Sequence, residues 1–512
     1  MDVENYSNNN LRIARNTIVL YIRMFFILIL NLYISRLVLN YLGVIDYGVY
    51  NIVGGVIVLF SFLNGAMTSA TQRFLSYEIG SGTPKKVNEV FSICITSHLL
   101  IAFGVVILGE TLGLWFLHNY INIPAERMSA AIFTYHFSIF SFCFGIIQIP
   151  YSSIIIAYEK MNTYAIVTII DAVLKLSVAM LLSFSVFDRL KQYSFSMFMV
   201  HFIVLLLYFI IIKINYKETK YCLFWDKKRY FEIFSFSGWS VLGGAANISV
   251  NQGISIVLNL FYGVIANTAV GIANQVTTAV YSFVTNFQTA FKPQIIKYYA
   301  SKNYTHFYSL LFRASKFSYY LIFIIALPVL LCTEGIFKLW LGQVPEYAVV
   351  FCKLIIVNRI IDSISGPLWM AVQATGNIKK YQIIVSSIIL MNLVFSYLFL
   401  KMGFAPHVVY IVSIFINIIL LIYRIIFLHY LVQLPIKNFC TEVLFKLVIV
   451  TILSIPIPLL IRLNLDVNSI LNVFIISFVS LLMTLIFIYV LGLEKTERVW
   501  LHSINPFKNR IK

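Results

Sequence analysis

Apolar runs of about twenty residues recur from one end of this chain to the other, each long enough to cross about 30 Å of hydrocarbon as a helix. Inside a bilayer the backbone must satisfy its own hydrogen bonds, so only helices and closed barrels can span. The alternating ten-residue segments of a barrel are not seen. Composition agrees, since 60% of the 512 residues are hydrophobic and 11% charged, with a mean hydropathy of +0.88 that water-soluble domains do not reach. The chain therefore reads as an all-α polytopic membrane protein. Runs bounded by charges, Pro or Gly place about 14 transmembrane helices near 16–40, 46–71, 90–117, 129–156, 164–187, 194–214, 234–260, 264–291, 313–333, 346–372, 381–402, 407–429, 441–462 and 469–491.

The formal charge of +18 would suit nucleic acid, but its distribution suits a membrane better. With the N-terminus inside, 26 of the 38 basic residues fall in loops on that side, against six (Arg127, Arg189, Lys191, Lys338, Lys401, Arg462) on the other. Basic residues stay on the cytoplasmic side, so both termini are expected to be cytoplasmic and no nucleic acid is implied. The first apolar run lacks a small-residue cleavage site and is expected to be retained. Six scattered cysteines form neither a metal pattern nor a disulfide framework.

One stretch is repeated. Ser35–Arg73 contains Val38-Leu39-Asn40 and Gly43-Val44-Ile45, answered about 220 residues later by Val257-Leu258-Asn259 and Gly263-Val264-Ile265. A helix–turn–helix unit recurring at half-chain distance predicts two related lobes. The reading is an N-terminal lobe of six spans at 1–215, a cytoplasmic interfacial linker at 216–233, a second pseudo-symmetric six-helix lobe at 234–430, an extra helix pair at 431–492 and a cytoplasmic tail at 493–512. The linker, basic and aromatic, suits a helix lying at the interface, with lipid head-group capture as the sharper alternative.

An ionisable side chain deep in a bilayer persists only where a cavity, a partner or a function compensates its cost. Here these are Arg23, Arg36, Asp171, Lys175, Lys353, Arg359, Asp362 and Lys446. Arg23 lies seven residues into its span, deep for a snorkelling side chain. Its guanidinium suits a pyrophosphate, with a structural ion pair or snorkelling as the alternative. Arg36, nearer the outer end, is open to either reading. Asp171 and Lys175 stand four apart on one face, either a self-neutralising pair or a site for ion coupling through a carboxylate. Arg359 and Asp362, three apart, repeat the choice. Asn51, Asn64 and Thr68 on the second span, Asn247, Asn251 and Asn259 on the seventh, and Asn274, Gln275 and Asn286 on the eighth are too many for lipid contact. They are expected to join helices or to line a hydrated cavity; Asn247 and Asn251 share a face.

With LGVIDYGVYNIV followed by Gln72-Arg73-Phe74, and YGVIANTAVGIANQV followed by Phe291-Lys292-Pro293-Gln294, the chain resembles the polysaccharide exporters of the multidrug/oligosaccharidyl-lipid/polysaccharide superfamily, especially the flippases of O-antigen and capsule repeat units. The resemblance implies two MATE-like lobes and transfer of an undecaprenyl-pyrophosphate-linked oligosaccharide across the bacterial inner membrane by alternating access. It also implies a cationic cavity, to which Arg23, Arg36, Asn51, Asn64, Asn247, Asn251 and Arg359 are assigned, with Asp171, Lys175 and Asp362 for ion coupling. The implied partners are the lipid-linked oligosaccharide, membrane lipid and a coupling proton or sodium ion, with the chain working as a monomer near polymerase or glycosyltransferase proteins. A cation-coupled multidrug exporter is the first rival and a membrane enzyme of polysaccharide assembly the second. No Walker loop, HExxH or GxSxG is present, and His98, His118, His136 and His201 lack metal spacing. No enzymatic activity, metal or cofactor is therefore expected.

Overall fold

The computed structural model describes residues 2–58, 61–81, 84–120, 123–185, 187–216, 219–341, 344–467, 469–494 and 497–498. Among them there is no strand. The helices are α1 (Asp2–Val58), α2 (Ser61–Ser81), α3 (Pro84–Leu108), α4 (Leu114–Tyr120), α5 (Met128–Ala157), α6 (Met161–Leu181), α7 (Arg189–Asn215), α8 (Lys227–Ala300), α9 (Tyr304–Leu341), α10 (Ala348–Thr375), α11 (Lys379–Lys401), α12 (Val408–Val432), α13 (Ile436–Phe439), α14 (Phe445–Ser454), α15 (Pro456–Asn464) and α16 (Ile470–Phe487). Among the described residues, eleven helical stretches are long and apolar enough to cross a membrane, and the protein is a multi-pass membrane protein. Spans one and two meet within α1, and seven and eight within α8; the three expected runs outside these eleven, 46–71, 264–291 and 346–372, lie on α1 and α2, on α8 and on α10.

Both merged helices break at the repeated glycine. Gly43 has φ 77° and ψ 170°, and Gly263 has φ 66° and ψ −161°. Only glycine visits that region readily. A Cβ at either would meet nothing within 4 Å, so it is the backbone, not crowding, that demands glycine. The repeat thus encodes a one-residue kink where a turn of several residues is expected.

The linker departs from expectation. Residues 219–226 form no helix. Ser92 Oγ, on α3, accepts from the Cys222 amide at 3.2 Å and lies 3.5 Å from the Lys220 carbonyl oxygen, which holds the segment extended. Helix begins only where the Asp226 carboxylate accepts from the Lys228 and Arg229 amides, the expected N-cap arrangement.

The chain divides into two compact units, one of Ile13–Ala245 with Ile296–Lys302, the other of Met1–Arg12, Ala246–Ile295 and Asn303–Lys512. In the first, α5 packs against α3 and α7, and α6 against α7; in the second, α10 packs against α9 and α12, and α11 against α12. Counted as spans, each unit joins its fourth to its third and sixth, and its fifth to its sixth.

In the first unit a π-helical turn, Gly109–Gly113, interrupts the third span. The Tyr135 hydroxyl fills it, donating to the Gly109 carbonyl at 2.7 Å. At the start of α5, Arg127 donates to Asp46 at 2.6 and 2.7 Å and to Asp188 at 2.7 and 3.1 Å. That clamp joins the α1 kink region, α5 and the start of α7. In the second unit α16 packs on α9, and Lys316 of α9 forms an ion pair with Glu497 at 2.8 Å, both side chains being 2% exposed. Lys446, one of the deep ionisable residues, pairs with Glu494 at 2.9 Å.

Candidate functional site

Helix α6 carries Tyr164, Thr168, Asp171 and Lys175 at steps of four, three and four, so all stand on one face. Arg23 of α1 uses the first two. Its Nε donates to the Thr168 hydroxyl at 2.6 Å, and its guanidinium lies over the Tyr164 ring at 4.8 Å. Among the described residues it has no carboxylate partner. Asp171 and Lys175, one turn further along, pair with each other at 2.8 Å. Elsewhere in this unit Arg36 is exposed. Asn64 is part-buried, and its Oδ1 has no hydrogen-bond partner. The Asn51 side chain lies outside the described residues.

The second unit has a partly open cavity of about 150 Å³ among α8, α10, α11 and α12. Asn247 and Asn251 enter it from α8, joined by Asn274 from beyond the Gly263 kink. Arg359, Asp362 and Asn358 enter from the middle of α10, Asn392 from α11, and Asn417 and Arg424 from α12. Hydrogen bonds between helices hold this wall. Asn392 donates to Ser413 at 2.8 Å, and Asn417 donates to Asn358 Oδ1 at 2.9 Å. Each such bond in a membrane contributes about 0.6–2 kcal/mol, so the pair fixes α10, α11 and α12 around the space.

Charge in the cavity is uneven. Asp362 Oδ2 accepts from the Tyr281 hydroxyl at 2.9 Å. Arg359 Nη1 stands 3.8 Å from the same oxygen, and Arg424 Nη1 3.9 Å from Oδ1. Both separations exceed a hydrogen bond. The Arg359 guanidinium lies over the Tyr281 ring at 5.1 Å, while Arg424 Nε donates to Tyr381 at 2.9 Å. Two guanidiniums thus face one carboxylate, each held back by an aromatic neighbour.

No family model and no curated protein matches this sequence. Solved structures do. A proline-to-alanine mutant of a MATE transporter superposes with a TM-score of 0.74 at 12% identity, over 83% of this chain and 96% of that one. The fold is that of the MATE transporters. A multidrug resistance MATE family transporter of the MOP superfamily, in its outward-facing conformation, superposes with a TM-score of 0.71 at 13% identity, over 83% of this chain and 96% of its own. A MOP superfamily transporter from Pyrococcus furiosus, described as having a binding pocket of reverse polarity that suggests a different function, does so at 0.71 and 13%, over 84% and 96%.

Within this MATE fold the cavity gathers Asn247, Asn251, Asn274, Arg359 and Asp362 of the residues singled out from sequence. Arg23, Arg36, Asn64, Asp171 and Lys175 do not line it, and neither does Lys353. Sequence reasoning misses Arg424, because the charge count assigns it to an inner loop, whereas it is 9% exposed inside α12. A signal was available: Ser413, Asn417 and Arg424 follow at steps of four and seven, one polar stripe on an otherwise apolar MATE helix.

Proposed function

We propose that this MATE-fold protein exports an undecaprenyl-pyrophosphate-linked oligosaccharide repeat unit across the bacterial cytoplasmic membrane by alternating access. The observation that carries the reading is Arg23. A guanidinium within a span, held by a hydroxyl and an aromatic ring and forming no ion pair with a carboxylate among the described residues, is costly unless an anion visits it. A diphosphate offers two such oxygens at once. The deep carboxylates point the same way. Asp171 is matched by Lys175 at 2.8 Å, and Asp362 faces two guanidiniums and a phenol. Neither is left open to attract a cationic drug, and a coupling proton or sodium ion at Asp362 would compete with both arginines. In this reading Thr168 and Tyr164 orient Arg23 so that its two Nη groups meet the phosphate.

Arg23→Ala is expected to abolish surface polysaccharide while protein level and membrane insertion remain normal. Normal polysaccharide in that strain would remove the assigned role. The MATE fold accommodates a cation-coupled multidrug exporter equally well, and the outward-facing multidrug neighbour favours testing it. Drug efflux that depends on Asp171 or Asp362, with polysaccharide unaffected, would establish that reading instead.

A further inference from the structure

We infer that the cavity of the second unit binds a small oxyanion, of carboxylate or phosphate chemistry, between Arg359 and Arg424. This goes beyond the flippase reading, which rests on Arg23 in the other unit. Three observations converge on it.

The first is charge. The charged residues lining the cavity are Arg359, Arg424 and Asp362, leaving one positive charge uncompensated near the middle of α10. An uncompensated charge in a span is costly, and an anion would balance it.

The second is donor geometry. Arg424 is 9% exposed, and its Nη1 atom is buried with no hydrogen-bond partner. Its Nε is anchored on Tyr381, which is itself 2% exposed and stacked on Trp369 with ring centroids 4.9 Å apart. The guanidinium is thus held in place, 3.9 Å from Asp362. Leaving such a donor unmade is costly. Arg359 is held similarly by the Tyr281 ring, and Tyr281 already occupies the near oxygen of Asp362. The carboxylate therefore separates two guanidiniums without satisfying either.

The third is size and lining. About 150 Å³ is the scale of a cavity that holds one benzene-sized molecule. That is room for a phosphate or for the carboxylate end of an acidic sugar. Asn247 and Asn251 add amide groups to the same wall, suited to the remaining oxygens or to ring hydroxyls.

The test is binding to purified full-length protein in nanodiscs and phosphate-free buffer, with inorganic phosphate, glucuronate and neutral glucose as separate probes. Saturable binding of phosphate or glucuronate is expected, with glucose inert. Arg424→Gln should weaken it at least about tenfold, as loss of a charge-assisted hydrogen bond does. Arg359→Gln, at a half-exposed position where folding is less at risk, should do the same. Asp362→Asn should tighten it by removing the competing carboxylate. Phosphate alone would identify a phosphate source; glucuronate alone would identify an acidic sugar. No saturable binding of either anion to the folded protein, equal binding of glucose, or binding unchanged in both arginine variants would each overturn the proposal. Polysaccharide export through Arg23 is measured separately, so failure of one reading leaves the other standing.

Discussion

At Arg127 a single side chain satisfies two carboxylates, from Asp46 and Asp188, with four hydrogen bonds. Burial pushes the Asp188 carboxyl up, but the bonds from Arg127 and from the Lys191 and Leu190 amides outweigh it and hold the group below its ordinary value. A depressed carboxylate stabilises fully above the unfolded value, about 4, and loses that contribution as pH falls through the folded one. Asp188→Asn should therefore cost about 1 kcal/mol at pH 7, since the partly exposed pair is screened. The gap between variant and wild type should close as pH falls below that range, as followed by unfolding in detergent. Equal stability at pH 7 would show the clamp to be idle. The same scale shows what sequence can and cannot give. Arg23 and the pair Asp171–Lys175 stand out by depth and spacing alone. Arg424 does not, because a basic residue eight positions from a helix end looks like a loop charge until Tyr381 and Asn417 are placed around it.

Elements show a different kind of legibility. The fourteen apolar runs were readable because a bilayer imposes their length, and the repeat at Gly43 and Gly263 because glycine there is a backbone requirement. The π turn at Gly109–Gly113 was not, since its cause is a hydroxyl arriving from another helix. A Cβ on Gly113 would stand 2.0 Å from Tyr135 Oη. Gly113→Ala should accordingly destabilise the first unit by about 1–3 kcal/mol, as overpacking does. Tyr135→Phe costs about 1 kcal/mol alone through the lost bond to Gly109. Combined with Gly113→Ala, it should recover part of the damage. Strictly additive losses would mean that hydroxyl and methyl never meet.

For the whole molecule, orientation rests on the loop charges, and the structure supplies a native reporter. Cys222 is the exposed free cysteine; Cys440 is half-buried, and Cys94, Cys143, Cys332 and Cys352 are buried. In a Cys440→Ser background, a membrane-impermeant maleimide should leave Cys222 unmodified in intact cells and label it in inverted vesicles. Labelling in intact cells would reverse the assigned topology. The sequence predicts the linker that carries Cys222 as an interfacial helix, because it is basic and aromatic. What decides its shape is Ser92, distant in sequence and invisible to any local pattern.

The single-glycine junctions have a consequence for biosynthesis. Between spans one and two, and again between seven and eight, the helices follow one another across Gly43 and Gly263 with no intervening loop. No hydrophilic segment separates them to be threaded across the bilayer on its own account. The second and eighth spans, with their many asparagines, are also poor candidates to enter lipid alone. Each is therefore expected to leave the translocon as a hairpin with its more apolar predecessor, so that the duplicated unit is a unit of membrane insertion as well as of architecture.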